Sequence, residues 1–312
     1  MTLLGRLFAG GDRAGAPVAP AAPSAPAAPI GLNALAEVAH AQFALTAQSL
    51  IQALLARPAH ADPRRLERHG YKAWSQQDED GIIAEIFRRI GVVHRSFVEF
   101  GTGDGGENNT VALLAQGWRG LWVEGDSNCA ASIRHHFDPL VQTSLLQLSN
   151  AFVTRDNAAD IVAAAGLGPE IDLLSIDLDG NDYHVWESLD QVSSRVVVIE
   201  YNAKFRPPAD WVMPYDEKHA WDGTDNFGAS LCAFDRLARA KGYRLVGCNL
   251  TGANAFFVRA DLARDLFFDP ASPQLLFQPA RYELRRGFTS GHPPSADTIV
   301  AAALAARRAA NG

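Results

Sequence analysis

Cysteine is scarce in this 312-residue chain: Cys129, Cys232 and Cys248 are the three present, and none forms a C-x-x-C pair. That excludes a disulfide framework and a zinc site built on paired thiols, and it suits a reducing, cytoplasmic compartment. A basic surplus is missing too. The chain has 28 Lys and Arg against 35 Asp and Glu, a net charge of −7, so it carries no nucleic-acid footprint. No apolar run approaches the roughly 20 residues that cross a bilayer. Met1 to Phe8 is apolar but too short for a signal-peptide core, and offers a weak amphipathic contact at most.

What is present is the composition of a globular protein with one sizeable core and appendages: 47% hydrophobic and 20% charged. Residues 1–30, largely Ala, Pro and Gly, cannot bury a core and read as a disordered linker. Residues 31–74 form an N-terminal helical segment. In it Leu35, Val38, Ala39, Phe43, Leu50 and Leu54 recur with helical spacing until Pro58 approaches. That helix has a face for the main domain or for homo-oligomerisation. The main domain spans 75–265, and 266–312 is a C-terminal extension to which no chemistry is assigned.

The domain opens with a helix over 79–90, acids in its first turn, arginines in its last, and Gly91 as a stop. Strands at 97–100, 120–124, 145–148, 171–176 and 195–199 then alternate with helices at 108–116, 127–137, 157–165 and 183–189. This rhythm predicts a doubly wound parallel sheet. The ending departs from it. Helix 229–241 and strand 243–248 are followed, after a short Asn/Thr/Gly turn, by strand 254–258. Parallel neighbours need a crossover of about a dozen residues or more, so these last strands must be antiparallel.

The first strand runs Phe97-Val98-Glu99-Phe100 into Gly101-Thr102-Gly103-Asp104-Gly105-Gly106, and the second ends in Glu124. Glycines here allow a tight turn and close approach to a ligand. A G-x-G-x-x-G loop with an acid after the next strand fits an NAD(P) or flavin fold. Three features pull away from it. Glu99 stands where such folds carry an apolar residue, Asp104 would repel a pyrophosphate, and the final hairpin is foreign to a Rossmann half. A cationic, phosphate-free nucleoside suits these acids better.

These residues resemble the class I S-adenosylmethionine-dependent methyltransferases, in particular the FkbM-like branch. The resemblance covers 75–262 and rests on Ser75-Gln76-x-x-Glu79-Asp80-Gly81, Phe97-Val98-Glu99-Phe100-Gly101-x-Gly103, Asp172-Leu173-Leu174-Ser175-Ile176-Asp177-x-Asp179-Gly180-Asn181-Asp182 and Val198-Ile199-Glu200-Tyr201-Asn202. It implies a three-layer Rossmann-like sandwich whose seven-stranded, mostly parallel sheet has an antiparallel last strand. It implies S-adenosyl-L-methionine as cofactor, met by Gln76, Glu99, Gly101, Gly103, Asn109, Glu124, Asn150 and Asp177. Glu124 would hold the ribose hydroxyls. Asn150 stands where many relatives carry an acid touching adenine, and Ser75 and Gln76 serve equally well as helix caps.

Ligands of open α/β sheets bind outside the carboxyl ends of the strands, where Asp177, Asp179, Glu200 and Asn202 emerge. Alternation places Asp177 with Asp179, and Glu200 with Asn202, on one face if the strands extend that far. Asp177, Glu200 and Asn202 are candidate Mg²⁺ ligands; the alternative is that 179–182 is a turn and helix cap. Asp177, Asp179, Glu200 and His184 are the candidate catalytic groups, His184 either as general base or as a structural histidine. Segment 204–228 lacks periodicity yet holds Phe205, Trp211, Tyr215, His219, Trp221 and Phe227. It reads as an acceptor lid, or as a surface loop with its own small cluster. The reading is a methyltransferase, O-directed; the resemblance implies a saccharide or glycosylated small molecule as acceptor, and the loop aromatics agree with it. An NAD(P)-dependent oxidoreductase of Rossmann type and a non-catalytic protein retaining the fold remain alternatives.

Overall fold

The computed structural model describes residues 32–284, 292 and 294–311. The linker expected at 1–30, with its Met1 to Phe8 start, lies outside the described residues. Chain packing separates a small first unit, ending at Ala39, from a main unit, His40–Gly312. Helix α1 (Leu32–Leu55) begins in the first and ends in the second.

The main unit continues with α2 (Glu79–Ile90), β1 (Ser96–Phe100), α3 (Val111–Ala115), β2 (Arg119–Glu124), α4 (Ser127–His136), α5 (Asp138–Gln142) and β3 (Leu146–Asn150). Next come α6 (Ala158–Ala164), β4 (Glu170–Ile176), α7 (Asp182–Ser188), β5 (Ser193–Glu200) and α8 (Leu231–Ala240). Last are β6 (Tyr243–Cys248), β7 (Asn254–Arg259), α9 (Ala260–Ala263), α10 (Pro273–Leu276) and α11 (Ala296–Asn311). The seven strands form one sheet in the order β3-β2-β1-β4-β5-β7-β6. All pairings are parallel except those of β7, which inserts antiparallel between β5 and β6. The short turn before β7 dictates this, as the sequence led us to expect.

Period-two alternation sorts side chains between the two faces. Val98 and Phe100 join the core under α6, α7 and α8, while Phe97 joins the one under α2 and α3. Helix α11 lies on that second face: Ile299, Val300 and Ala303 are buried there, so the C-terminal extension completes the core. The helix expected at 127–137 continues past a break at Phe137 as α5, which Pro139 can open because its missing N–H is not needed there.

One buried ion pair ties the layers together. Asp172 on β4 accepts the backbone N–H groups of Val93, His94 and Arg95 and the Arg195 guanidinium at 2.7 Å. Arg195 also donates to the carbonyls of Gly91 and Ile90 at the end of α2. The connections after β1 and β4 leave toward opposite faces, and the crevice opens where they part.

Candidate functional site

Above the carboxyl ends of β1, β2, β4 and β5 lies a cavity of about 800 Å³. Gly101, Gly103, Glu124, Asp177, Asp179 and Glu200 all reach its wall, together with Gln76. Gly101 and Gly103 both have positive φ, 75° and 54°. Their roles differ. A Cβ on Gly101 would overlap the Asp177 carbonyl oxygen, so this glycine lets β1 and β4 close up, whereas Gly103 faces open space. Glu124 accepts the N–H groups of Gly103 and Asp126, each at 2.7 Å. One lone pair per oxygen is left for a ligand hydroxyl. Asp126 caps α4 through the Asn128 and Cys129 amides, which hold its carboxyl below the usual range. Asp104 is exposed and caps its own turn at the Gly106 N–H.

Strand β4 ends at Ile176, so Asp177 and Asp179 do not share a strand face; a turn with left-handed Asp179 (φ 52°) brings them together. Buried Asp182 closes that turn by accepting the Leu178 and Gly180 amides. One oxygen each of Asp177, Asp179 and Glu200 lie within 4.8 Å of one another. Burial pushes the Asp177 and Glu200 carboxyls well above their ordinary range, and repulsion among the acids adds to it. One Glu200 oxygen, Oε2, is buried with no hydrogen-bond partner among the described residues. Converging carboxylate oxygens are the ligand type that hard cations take.

The structure keeps the other expected residues out of the cavity wall, each for a local reason. Glu99 on β1 points into the core, where it accepts the Asn109 and Thr110 N–H groups and the Thr110 hydroxyl. Its carboxylate therefore caps α3, which starts at Val111 rather than at 108. Asn109 donates to Ser175 and faces the groove between α2 and α3. Asn150 braces the Glu124 carbonyl through its side-chain amide. His184 has its Nε2 on the Met213 carbonyl and its ring against Tyr183 and Tyr215. Asn202 turns away from the acids: its amide donates to the carbonyls of Asp225 and Phe227, and its oxygen accepts the Lys204 N–H. The trio that converges is thus Asp177, Asp179 and Glu200, with Asp179 in place of the expected Asn202. Ser75 binds the Asp80 N–H as a capping residue, and Asp80 returns three bonds to the Ala73, Trp74 and Ser75 amides.

The aromatic loop divides. Trp211 stacks on Phe205 at 4.1 Å and forms the loop's own cluster, whereas Trp221, Phe227 and His219 stand at the cavity. His219 lies against Gly180, with Nε2 3.1 Å from the Asp179 carbonyl oxygen. Phe152 and Tyr282 also line the cavity. Sequence reasoning passed over Tyr282, because nothing near it in the chain marks a site.

Glu99 gives a measurable pH dependence. Burial raises its carboxyl from 4.5 to about 7, outweighing the donors of Asn109, Thr110 and Ser175. Between those values the folded protein keeps a proton that the unfolded chain has released, so stability falls as pH rises through the window and stays low above it. The loss attributable to Glu99 is about 3 kcal/mol, at about 1.36 kcal/mol per unit. Urea unfolding at pH 5 and pH 8 should show a smaller difference for Glu99→Gln than for the unmodified chain. Equal differences would remove Glu99 as the source.

Strand order, hairpin and crevice define the class: this is the three-layer, Rossmann-like fold of class I methyltransferases, with a seven-stranded sheet and an antiparallel last strand. No family model matches the chain, and no curated protein matches it. Solved structures do share similarity with it. The pyocyanin biosynthetic protein PhzM is 18% identical over 57% of this chain and 54% of its own, with a TM-score of 0.38. This chain thus spans about half the length of that protein. An S-adenosylmethionine-dependent methyltransferase from Clostridium acetobutylicum is 10% identical over 68% of this chain and 98% of its own, TM-score 0.38. The CcbJ methyltransferase from Streptomyces caelestis is 13% identical over 58% and 96%, TM-score 0.35. The fold assignment rests on the strand order and not on these values.

Proposed function

We propose that the protein is an S-adenosylmethionine-dependent methyltransferase of the FkbM-like branch, O-directed and acting on a saccharide or glycosylated small molecule. The observation that carries this reading is the single cavity shared by the Gly101–Gly103 loop, Glu124 and the Asp177, Asp179 and Glu200 carboxylates. Its wall is anionic and suits a donor bearing a sulfonium and an ammonium. Glu124, already held by two amides, is placed to accept the ribose hydroxyls. The loop side of the cavity, with Trp221 and Phe227, is left for the acceptor. Holding acceptor oxygen and methyl donor in near-attack geometry supplies much of the rate.

Asp177, Asp179 and Glu200 would hold Mg²⁺, and the partnerless Glu200 oxygen supports that fit. Held there, it would supply a lower pKa for an acceptor hydroxyl. Without it, an ionised carboxylate of the trio takes the proton. Calorimetric binding of Mg²⁺ that disappears in Asp177→Asn is the expected result; no binding, with activity surviving EDTA, would reject the metal.

A thermal-shift series with S-adenosylhomocysteine, NAD⁺ and NADP⁺ tests the reading itself. We expect stabilisation by S-adenosylhomocysteine; a response to the dinucleotides alone would favour an oxidoreductase. Trp221→Ala should raise the acceptor KM about tenfold, from a lost stacking contact of ~1–1.5 kcal/mol, and leave donor binding intact. Trp211→Ala should instead loosen the loop. An unchanged KM in Trp221→Ala would remove Trp221 as an acceptor contact.

Helix α1 supports the proposal of a homo-oligomer. Leu35, Val38, Leu45 and Leu50 are exposed along a helix whose one formally charged residue is Glu37. No helix among the described residues is long and apolar enough to cross a membrane. The three cysteines are free, which fits the proposed cytoplasmic location.

A further inference from the structure

Arg281, next in the chain to the cavity-lining Tyr282, is the centre of a group of arginines that the methyl-transfer chemistry leaves without a role. Arg57, Arg206 and Arg281 form no ion pair among the described residues, in a chain where acids outnumber bases. Packing brings their segments together. Leu54, one turn before Arg57, is buried against Leu250 and Leu284. Arg281 binds the Leu250 carbonyl at 2.8 Å and the Gln278 side chain at 3.2 Å. Tyr201, at the start of the segment carrying Arg206, hydrogen-bonds the Gln278 carbonyl. Burial and the charges of Arg57 and Arg206 hold the Arg281 guanidinium below its usual range, so both repel it. The residue after Arg281 is Tyr282, in the wall of the cavity.

We propose that Arg57, Arg206 and Arg281 bind the phosphoryl group of a phosphorylated saccharide whose hydroxyl reaches the Asp177, Asp179 and Glu200 cluster. The proposal rests on the methyltransferase reading and adds the acceptor's charge to it. Forked guanidinium donors match phosphate oxygens, and a dianion relieves that repulsion. An anion cannot settle on the cavity's carboxylates, so an acceptor carrying one must present it elsewhere. The group around Arg281, next in the chain to Tyr282, would take it there.

The test is titration of the full chain with inorganic phosphate at constant ionic strength, with acetate as the carboxylate comparison and S-adenosylhomocysteine titrated in parallel. Phosphate should bind more tightly than acetate. Arg57→Ser/Arg206→Ser should weaken phosphate by about tenfold or more, and surface Arg134→Ser should leave it unchanged. Equal binding of acetate, an equal loss in Arg134→Ser or no loss in the double variant would each overturn the proposal. If the double variant fails to fold, the two single variants carry the same comparison. Normal S-adenosylhomocysteine binding without phosphate binding defeats this inference alone. Absent S-adenosylhomocysteine binding defeats the methyltransferase reading instead.

Discussion

Arg195→Ala is expected to lower the unfolding free energy by about 3–5 kcal/mol, the cost of removing one partner from a buried ion pair. Both side chains are shielded from solvent, with 4% of Arg195 and none of Asp172 exposed. The variant strands the Asp172 carboxylate and also frees the Gly91 and Ile90 carbonyls. Most of the loss comes from the charge left behind and not from the contact itself. Arg195→Ala/Asp172→Asn should therefore recover part of it, because the one asparagine oxygen still accepts the His94 and Arg95 amides without a charge, while the Val93 amide loses its acceptor. Urea midpoints of the two variants, compared with the unmodified chain, decide this. A loss below about 1 kcal/mol in the single variant, typical of an exposed pair, would show that water reaches the pair.

The second large effect is on the donor. In Glu124→Ala the affinity for S-adenosylhomocysteine should fall about 10- to 100-fold, matching ~1.5–3 kcal/mol for hydrogen bonds to a charged group. Two contributions combine: the ribose loses its acceptor, and the amides of Gly103 and Asp126 lose the carboxylate that fixes the loop. Glu124→Gln keeps one acceptor oxygen and should fall between. Calorimetry gives the affinities, and a melting temperature close to that of the unmodified chain shows that the fold persists. An unchanged affinity in Glu124→Ala would separate Glu124 from donor binding and weaken the methyltransferase reading.

The acids show where local reading stops. Glu99 and Glu124 both lie near the ends of apolar strands beside the glycine loop, and in the sequence they look alike. They share a sheet face, Glu99 pairing with Trp122 two residues before Glu124, and part by their position along the strand. Glu99 shares its face with Phe97 and meets the start of α3, while Glu124, the last residue of β2, opens onto the cavity. At the metal-binding candidates the same limit applies. Period-two spacing paired Glu200 with Asn202, but β5 ends at Glu200 and the chain turns, so Asn202 holds the loop instead. His184 and His219 could not be ranked by sequence distance, since it takes the fold of 204–228 back onto Gly180 to put His219 at the cavity.

The sequence by itself determined the order of strands and helices, the antiparallel last strand and the position of the glycine loop. These follow from hydrophobic period, helix-end charges, glycine placement and the shortness of one turn, all local in the chain. Tertiary structure decided which acids face the cavity, which histidine joins them and that Tyr282 belongs to the site. It also brought the charges of Arg57 and Arg206 to bear on Arg281, from three separate stretches. Such meetings depend on where each strand ends and on packing between distant segments, and no window of sequence contains the second.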